Sequence, residues 1–195
     1  LTFFAHRESC NPFYEAVPEV VEEYMNEISR ITGRKYGLFN YYGDPEADRV
    51  IILMGSATEA AREAIDYLRE EKGEKVGLVS VHLYRPFSVK HLLAAVPKSV
   101  KRIAVLDRTK EPGAEGEPLY LDVKSAFYDV ENKPLIVGGR YGLGSSDTTP
   151  AKIIAVYDNL ELPEPKNHFT VGIVDDVTFT SLPEVEEIPL GGEST

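Results

Sequence analysis

Val50-Ile51-Ile52-Leu53-Met54-Gly55-Ser56 decides the fold class. The first five residues are apolar without alternation, as in a strand that buries both of its faces. Gly55-Ser56 then turns the chain into a stretch that sets Ala60, Ala61, Ala64, Ile65 and Leu68 on one side at helical spacing, with Gly73 just past its end. The same unit repeats downstream. Val76–Leu83 predicts a strand, and Ser88–Val96 a short helix with Ser88 as N-cap and Pro97 as terminator. Arg102–Leu106 is the next strand and Leu119–Tyr128 the next helix, with Leu119, Tyr120, Val123, Ala126 and Phe127 facing inward. Leu135–Val137 predicts a fourth strand. Thr149 and Pro150 form an N-cap and N1 pair for a helix running to about Leu160, and Phe169–Ile173 a last short strand. Strands and helices in strict alternation give a mainly parallel sheet covered on both faces, and right-handed crossovers make it doubly wound.

Upstream of this series, Val17, Val20, Val21, Tyr24, Met25, Ile28 and Ile31 recur at three- and four-residue steps, predicting a helix from Pro12 to Thr32 stopped at Gly33. Its glutamates (Glu15, Glu19, Glu22, Glu23, Glu27) fall mostly off the stripe, on a solvated face. Leu1–Asn11 shows no period. The expected division is an arm and first helix over 1–33, an α/β core over 34–162 and an extension over 163–195, with Glu161–Asn167 and the tail after Pro183 as linkers. A first residue other than Met and an acidic, Gly-rich tail read as cuts in a longer polypeptide.

Composition excludes several classes of function. A net charge of −11 argues against nucleic acid and against an anionic membrane surface, both of which call for a basic patch. No apolar run reaches the length of a membrane span. The one cysteine, Cys10, makes no internal disulfide and no thiolate metal site, so a reducing cytoplasm is the expected compartment.

Ligands of open α/β sheets bind outside the carboxyl ends of strands, which selects three loops. Gly55-Ser56-Ala57-Thr58 opens a helix whose N-terminus could receive an anion, but it lacks the dinucleotide and P-loop patterns, and a plain capping turn competes with that reading. Asp107–Pro118 is long and polar. Arg108 and Lys110 suit a phosphate or a partner's carboxylate, Thr109 and Glu111 flank them, and Pro112-Gly113 marks a turn; the competing reading is a surface turn anchored by Asp107 and Arg108. Gly138–Ser146, with Arg140, has the glycine density of a phosphate cradle but no nucleotide spacing, so a glycine-rich bend competes. His6, His82, His91 and His168 have no metal-ligand spacing, and no Gly-x-Ser-x-Gly elbow occurs. Asp175-Asp176 reads as a turn. These residues make no complete active site.

Several of these stretches resemble pyruvate:ferredoxin (flavodoxin) oxidoreductase. They are Leu106-Asp107-Arg108-Thr109-Lys110-Glu111-Pro112-Gly113, Gly116-Glu117-Pro118-Leu119-Tyr120-Leu121-Asp122-Val123, Leu83-Tyr84-Arg85-Pro86-Phe87, Gly138-Gly139-Arg140-Tyr141-Gly142-Leu143, Lys166–Ile173 and Asn11-Pro12-Phe13-Tyr14. The resemblance covers nearly the whole chain and points to that enzyme's second domain. It implies a fold like the C-terminal domain of transketolase: a three-layer α/β/α sandwich with one antiparallel edge strand. For the parent it implies oxidative decarboxylation of pyruvate with thiamine diphosphate, magnesium, coenzyme A and [4Fe-4S] clusters, electrons passing to ferredoxin or flavodoxin, and a homo-oligomer. This chain has no cluster motif and no Gly-Asp-Gly segment for the magnesium of thiamine diphosphate. The resemblance therefore implies that the chain alone binds none of these cofactors and is inactive, an assembly module partnered by the parent's other domains or subunits. The competing expectation is a small-molecule module holding part of coenzyme A or another phosphate. A free-standing hydrolase or transferase lacks every motif it would need.

Overall fold

The computed structural model describes residues 2–186, and the end of the acidic tail, 187–195, lies outside the described residues. In chain order the elements are α1 (Thr2–Glu8), α2 (Asn11–Thr32), β1 (Phe39–Gly43), β2 (Arg49–Leu53), α3 (Ala57–Lys72), β3 (Val76–Val81), α4 (Val89–Ala95), β4 (Arg102–Asp107), α5 (Pro118–Ala126), β5 (Leu135–Arg140), α6 (Pro150–Glu161) and β6 (Phe169–Thr170). The strands form one six-stranded sheet in the order β1-β3-β2-β4-β5-β6. β1 runs antiparallel to β3, with Phe39 opposite Val81, and the other pairs are parallel. Among the described residues no helix is long and apolar enough to cross a membrane.

The unbroken apolar run of β2 follows from burial on two sides. Ile51 and Leu53 enter one core with α3 and α6 residues such as Ala61, Ile65, Ile153 and Tyr157. Val50 and Ile52 enter the opposite core with Leu92 of α4 and Leu119 and Val123 of α5. Burying each of these side chains contributes about 1.5–3 kcal/mol before chain entropy is set against it. The result is a three-layer sandwich with a single antiparallel edge strand.

Local signals set the helix ends. Gly33 and Gly73 take left-handed φ of 69° and 66° and return their N–H groups to carbonyls in the last turns of α2 and α3. Ser88 accepts from the His91 N–H, and Thr149 from the Lys152 N–H ahead of Pro150.

Leu1–Asn11 shows no period, and Thr2–Glu8 is helical all the same; it buries no side chain, so no apolar period marks it. Two readings of the sequence are corrected. Gly138-Gly139-Arg140 is strand rather than bend. The glycines are there because aromatic rings lie against the strand on both faces: a Cβ on Gly139 would stand 2.1 Å from the Phe169 ring, and one on Gly138 2.9 Å from Tyr120. Glu161–Asn167 is stitched to the body rather than free as a linker. Asn159 exchanges two hydrogen bonds with the Lys166 backbone, Asn167 Oδ1 accepts the Gly138 N–H at 2.8 Å, and Lys166 Nζ reaches Ser181 O. The sheet and core accordingly continue past residue 162, through β6, Val171 and Leu182.

Candidate functional site

From β2 the chain passes to α3 on one face of the sheet; from the adjacent β4 it passes to α5 on the other. Such a divergence opens a crevice at the carboxyl ends of the two strands. A cleft of about 430 Å³ lies there, lined by Met54, Ser56, Tyr84, Arg108, Thr109 and Tyr141 among others.

Asp107 ends β4 and is buried. Its Oδ1 accepts the Leu119 N–H at 3.0 Å and its Oδ2 the Tyr120 N–H at 3.1 Å, capping α5 directly behind Pro118, which has no N–H to offer. Burial pushes the Asp107 carboxyl above its ordinary value of 3.8; the two N–H groups pull it back, and Glu117 and Asp122 push it further up. A raised native value means that the folded state holds this proton more tightly than the unfolded chain. Asp107 therefore favours the fold in acid, and that contribution is lost as pH rises from the ordinary 3.8 through the elevated native value. Urea midpoints taken across that window should show the falling slope in the native chain and lose it in Asp107→Asn; identical slopes would refute the assignment.

Glu117, next to α5, does not cap the helix with its side chain. Its Oε1 meets Arg140 Nη1 at 2.9 Å and its Oε2 accepts the Glu111 N–H at 3.2 Å. Arg140 Nη2 donates to His168 O at 2.9 Å. One ion pair thus joins β5, the chain before β6 and both arms of the β4–α5 loop. Arg108 Nε donates to Gly142 O at 3.0 Å, where Gly142 sits at φ 67°. Tyr84 donates to Asp122 Oδ2 at 2.9 Å, Arg85 Nη2 to the same oxygen at 2.8 Å, and the Arg85 guanidinium stacks 4.0 Å from the Tyr84 ring centre.

The sequence-predicted residues divide among three places. Ser56, Arg108 and Thr109 line the cleft. Lys110 and Arg140 line a separate hollow of about 150 Å³ with Tyr141, Leu143, Ser146 and Ile173. Glu111 and Gly113 lie on the exposed loop tip, and no atom comes within 4 Å of a Cβ built on Gly113. Ser56 does not cap α3 with its hydroxyl: its backbone is already helical, and Thr58 Oγ1 bonds Gly55 O instead. Arg140 gives Nη1 to Glu117 and Nη2 to His168 O, while its buried Nε has no partner among the described residues. Tyr84, Asp122 and Tyr141 were not singled out individually, because an isolated aromatic or carboxylate carries no spacing signal; Tyr84 and Asp122 meet across 38 residues of chain.

Three polar groups around the cleft are thus engaged with the fold itself: Asp107 with α5, Arg108 through its Nε with the β5 exit, and Tyr84 with Asp122. Two of the histidines likewise serve locally, His82 to Gly37 O and His91 between Ser88 and Glu22. Among the described residues no group of three or more His, Cys, Asp or Glu could hold a metal ion, and one cysteine cannot supply the thiolates of an iron–sulfur cluster. The residues present do not fit such a centre.

Comparison with known proteins follows the same line. The sequence family described as pyruvate:ferredoxin oxidoreductase core domain II matches residues 47–153. The chain is 61% identical to pyruvate-flavodoxin oxidoreductase of Enterobacter agglomerans over 181 residues, covering 93% of this chain and 15% of that protein. It is 53% identical to pyruvate:ferredoxin oxidoreductase of Moorella thermoacetica over 193 residues, covering 99% of this chain and 16% of that protein. Among solved structures, 2-oxoglutarate:ferredoxin oxidoreductase from Magnetococcus marinus, solved with 2-oxoglutarate, coenzyme A and succinyl-CoA bound, overlays 67% of this chain and 20% of that one at 22% identity. Its TM-score is 0.43, too loose a likeness to carry a ligand across. The chain spans about 15% of the length of the curated relatives it matches. With more than half of its residues inside the family match, this chain belongs to the pyruvate:ferredoxin oxidoreductase family, as core domain II.

Proposed function

We propose that this chain is a non-catalytic assembly domain of a pyruvate:ferredoxin oxidoreductase. The parent would decarboxylate pyruvate oxidatively and pass electrons to ferredoxin or flavodoxin. Thiamine diphosphate, magnesium and [4Fe-4S] clusters would sit in its other domains. The β4–α5 loop would lie at a boundary with those domains.

One observation carries this reading: the loop has a rigid base and a presented tip. Asp107, Glu117 and Arg140 fix both ends, while Lys110 to Glu115 stand exposed. Long loops held this way in compact domains tend to be contact elements. In the intact parent, Arg108→Glu should lower assembly or specific activity by about tenfold or more, as reversing one partner of an interfacial charge pair does. Size-exclusion chromatography and initial rates read the two effects. Unchanged kinetics together with unchanged thermal melting would refute the role.

A second reading has one observation of its own, the cleft at the β2–β4 divergence with Arg108 at its rim. There the domain would hold part of coenzyme A or another phosphate ligand. Calorimetric titration with millimolar coenzyme A separates the two readings: a flat isotherm removes the ligand reading and leaves the assembly reading standing.

A further inference from the structure

α2 carries two apolar stripes, and only one is used. At about 100° per residue, Pro18, Val21, Met25 and Ser29 fall on one side of the helix. There Pro18 is buried, and Val21 and Met25 pack on the core shared with α4 and α5. Beside that side, within about 80° of arc, come Phe13, Val20, Tyr24, Ile28 and Ile31. Phe13 is 77% exposed and Tyr24 and Ile31 are each 68% exposed. The spacing of this second stripe is as regular as that of the first. The helix has 22 residues, about 33 Å of length. Side chains of this size in a row expose roughly several hundred Å² of contiguous apolar surface, the scale that marks an interaction site rather than a free monomer surface.

The charge beside the stripe indicates what covers it. Glu23 and Glu27 border it on the side away from the core, and Arg30 is the only basic residue of the helix. Glu27 is satisfied by Arg30 at 2.6 Å and Glu19 is engaged by Lys90, while Glu23 makes no ion pair among the described residues. A second copy of this chain would bring an equally acidic helix and a net charge of −11 against it. A complementary surface is apolar along its centre and edged with Lys or Arg. The curated relatives extend far beyond the span matched here, since it makes up 15% of their length. Another domain of the same polypeptide is thus the occupant at hand.

We infer that the Phe13–Ile31 stripe of α2 is a docking surface for another domain of the same polypeptide, which meets it with an apolar strip bordered by basic side chains. The inference rests on the assembly-domain reading above and names a surface distinct from the β4–α5 loop.

The test uses the full-length parent polypeptide with the photo-crosslinker p-benzoylphenylalanine in place of Tyr24, and the same probe in place of the exposed Glu71 on α3 as a control. The expected result is an adduct at position 24 of unchanged polypeptide mass. Its peptide map should join α2 to a Lys- or Arg-bearing segment outside this span, with no adduct from position 71. Glu23→Lys with Glu27→Lys should then lower the yield on the order of fivefold, since a like-charged edge disfavours the contact. An adduct of doubled mass joining two copies, a lipid adduct, or no adduct at all would overturn the inference. The Arg108→Glu result keeps the two readings apart. If Arg108→Glu disrupts assembly and position 24 gives no adduct, only the α2 surface is lost. If position 24 crosslinks as stated and Arg108→Glu is silent, only the loop's role is lost.

Discussion

Arg140→Ala should destabilise this domain by about 3–5 kcal/mol, the cost of removing one partner from a buried ion pair. The pair is well enclosed: the Arg140 side chain is 13% exposed and that of Glu117 is 6% exposed. Without the guanidinium, Glu117 keeps only the Glu111 N–H at 3.2 Å, and its carboxylate is left buried near that of Asp107. The loss extends beyond one contact, because Arg140 Nη2 also holds His168 O just ahead of β6. Chemical denaturation should show a lower midpoint for Arg140→Ala. Adding Glu117→Gln should recover part of the loss, since a neutral amide costs less to leave half-paired than a carboxylate. If the double variant is no more stable than the single one, the cost lies in packing and not in the unpaired charge.

The second large effect is expected at Arg49, a buried cation at the opposite end of the sheet. Arg49 contacts Asp48 at 3.2 Å, Glu74 at 3.0 Å and Glu161 at 3.3 Å, and donates to Tyr157 O at 3.3 Å. It therefore ties the start of β2 to the carboxyl ends of α3 and α6, where a positive charge also meets the helix dipoles favourably. Asp48 and Glu161 are half exposed, so their shares are screened by solvent and the loss on Arg49→Ala is set at about 3 kcal/mol, the low end for a broken buried pair. The remaining carboxylates would repel one another. Nearby Asp158 is already pushed up by burial and by Glu161, with Arg49 pulling it down. The variant should regain stability as sodium chloride is raised, whereas Arg49→Met, which keeps the apolar stem, should lose less than Arg49→Ala. A thermal midpoint independent of both salt and stem would refute the electrostatic account.

Residues with a strong periodic or chemical signature were legible in the sequence. The double-sided burial of β2, the glycine stops at Gly33 and Gly73 and the caps at Ser88 and Thr149 each follow from a local rule, and the structure repeats them. β1 was not located: Phe39-Asn-Tyr-Tyr-Gly43 is a short edge strand whose half-covered residues alternate weakly, and only the family resemblance implied an antiparallel edge. Gly138 and Gly139 were misread because the rings that exclude a side chain there, Tyr120 and Phe169, come from elements distant in sequence. The β4–α5 connection was legible as a loop from its length and polarity. The commitment of Arg140 to Glu117 was not, because a pair 23 residues apart leaves no spacing signal. The exposed stripe of α2 shows the converse: its period predicts an apolar face, but periodicity does not say which part of that face the chain itself covers.

Hydrogen exchange of the 108–116 segment in the intact parent polypeptide tests the central claim most directly. Within this domain few amides of that segment have an acceptor, chiefly Glu111 to Glu117 and Ala114 to Glu111 O. If the loop lies at a domain boundary, its amides should exchange at least about tenfold more slowly in the intact parent than in the domain alone, because contact with a neighbouring domain suppresses local opening. Exchange at the same rate in both would contradict the account and leave the loop an ordinary surface turn.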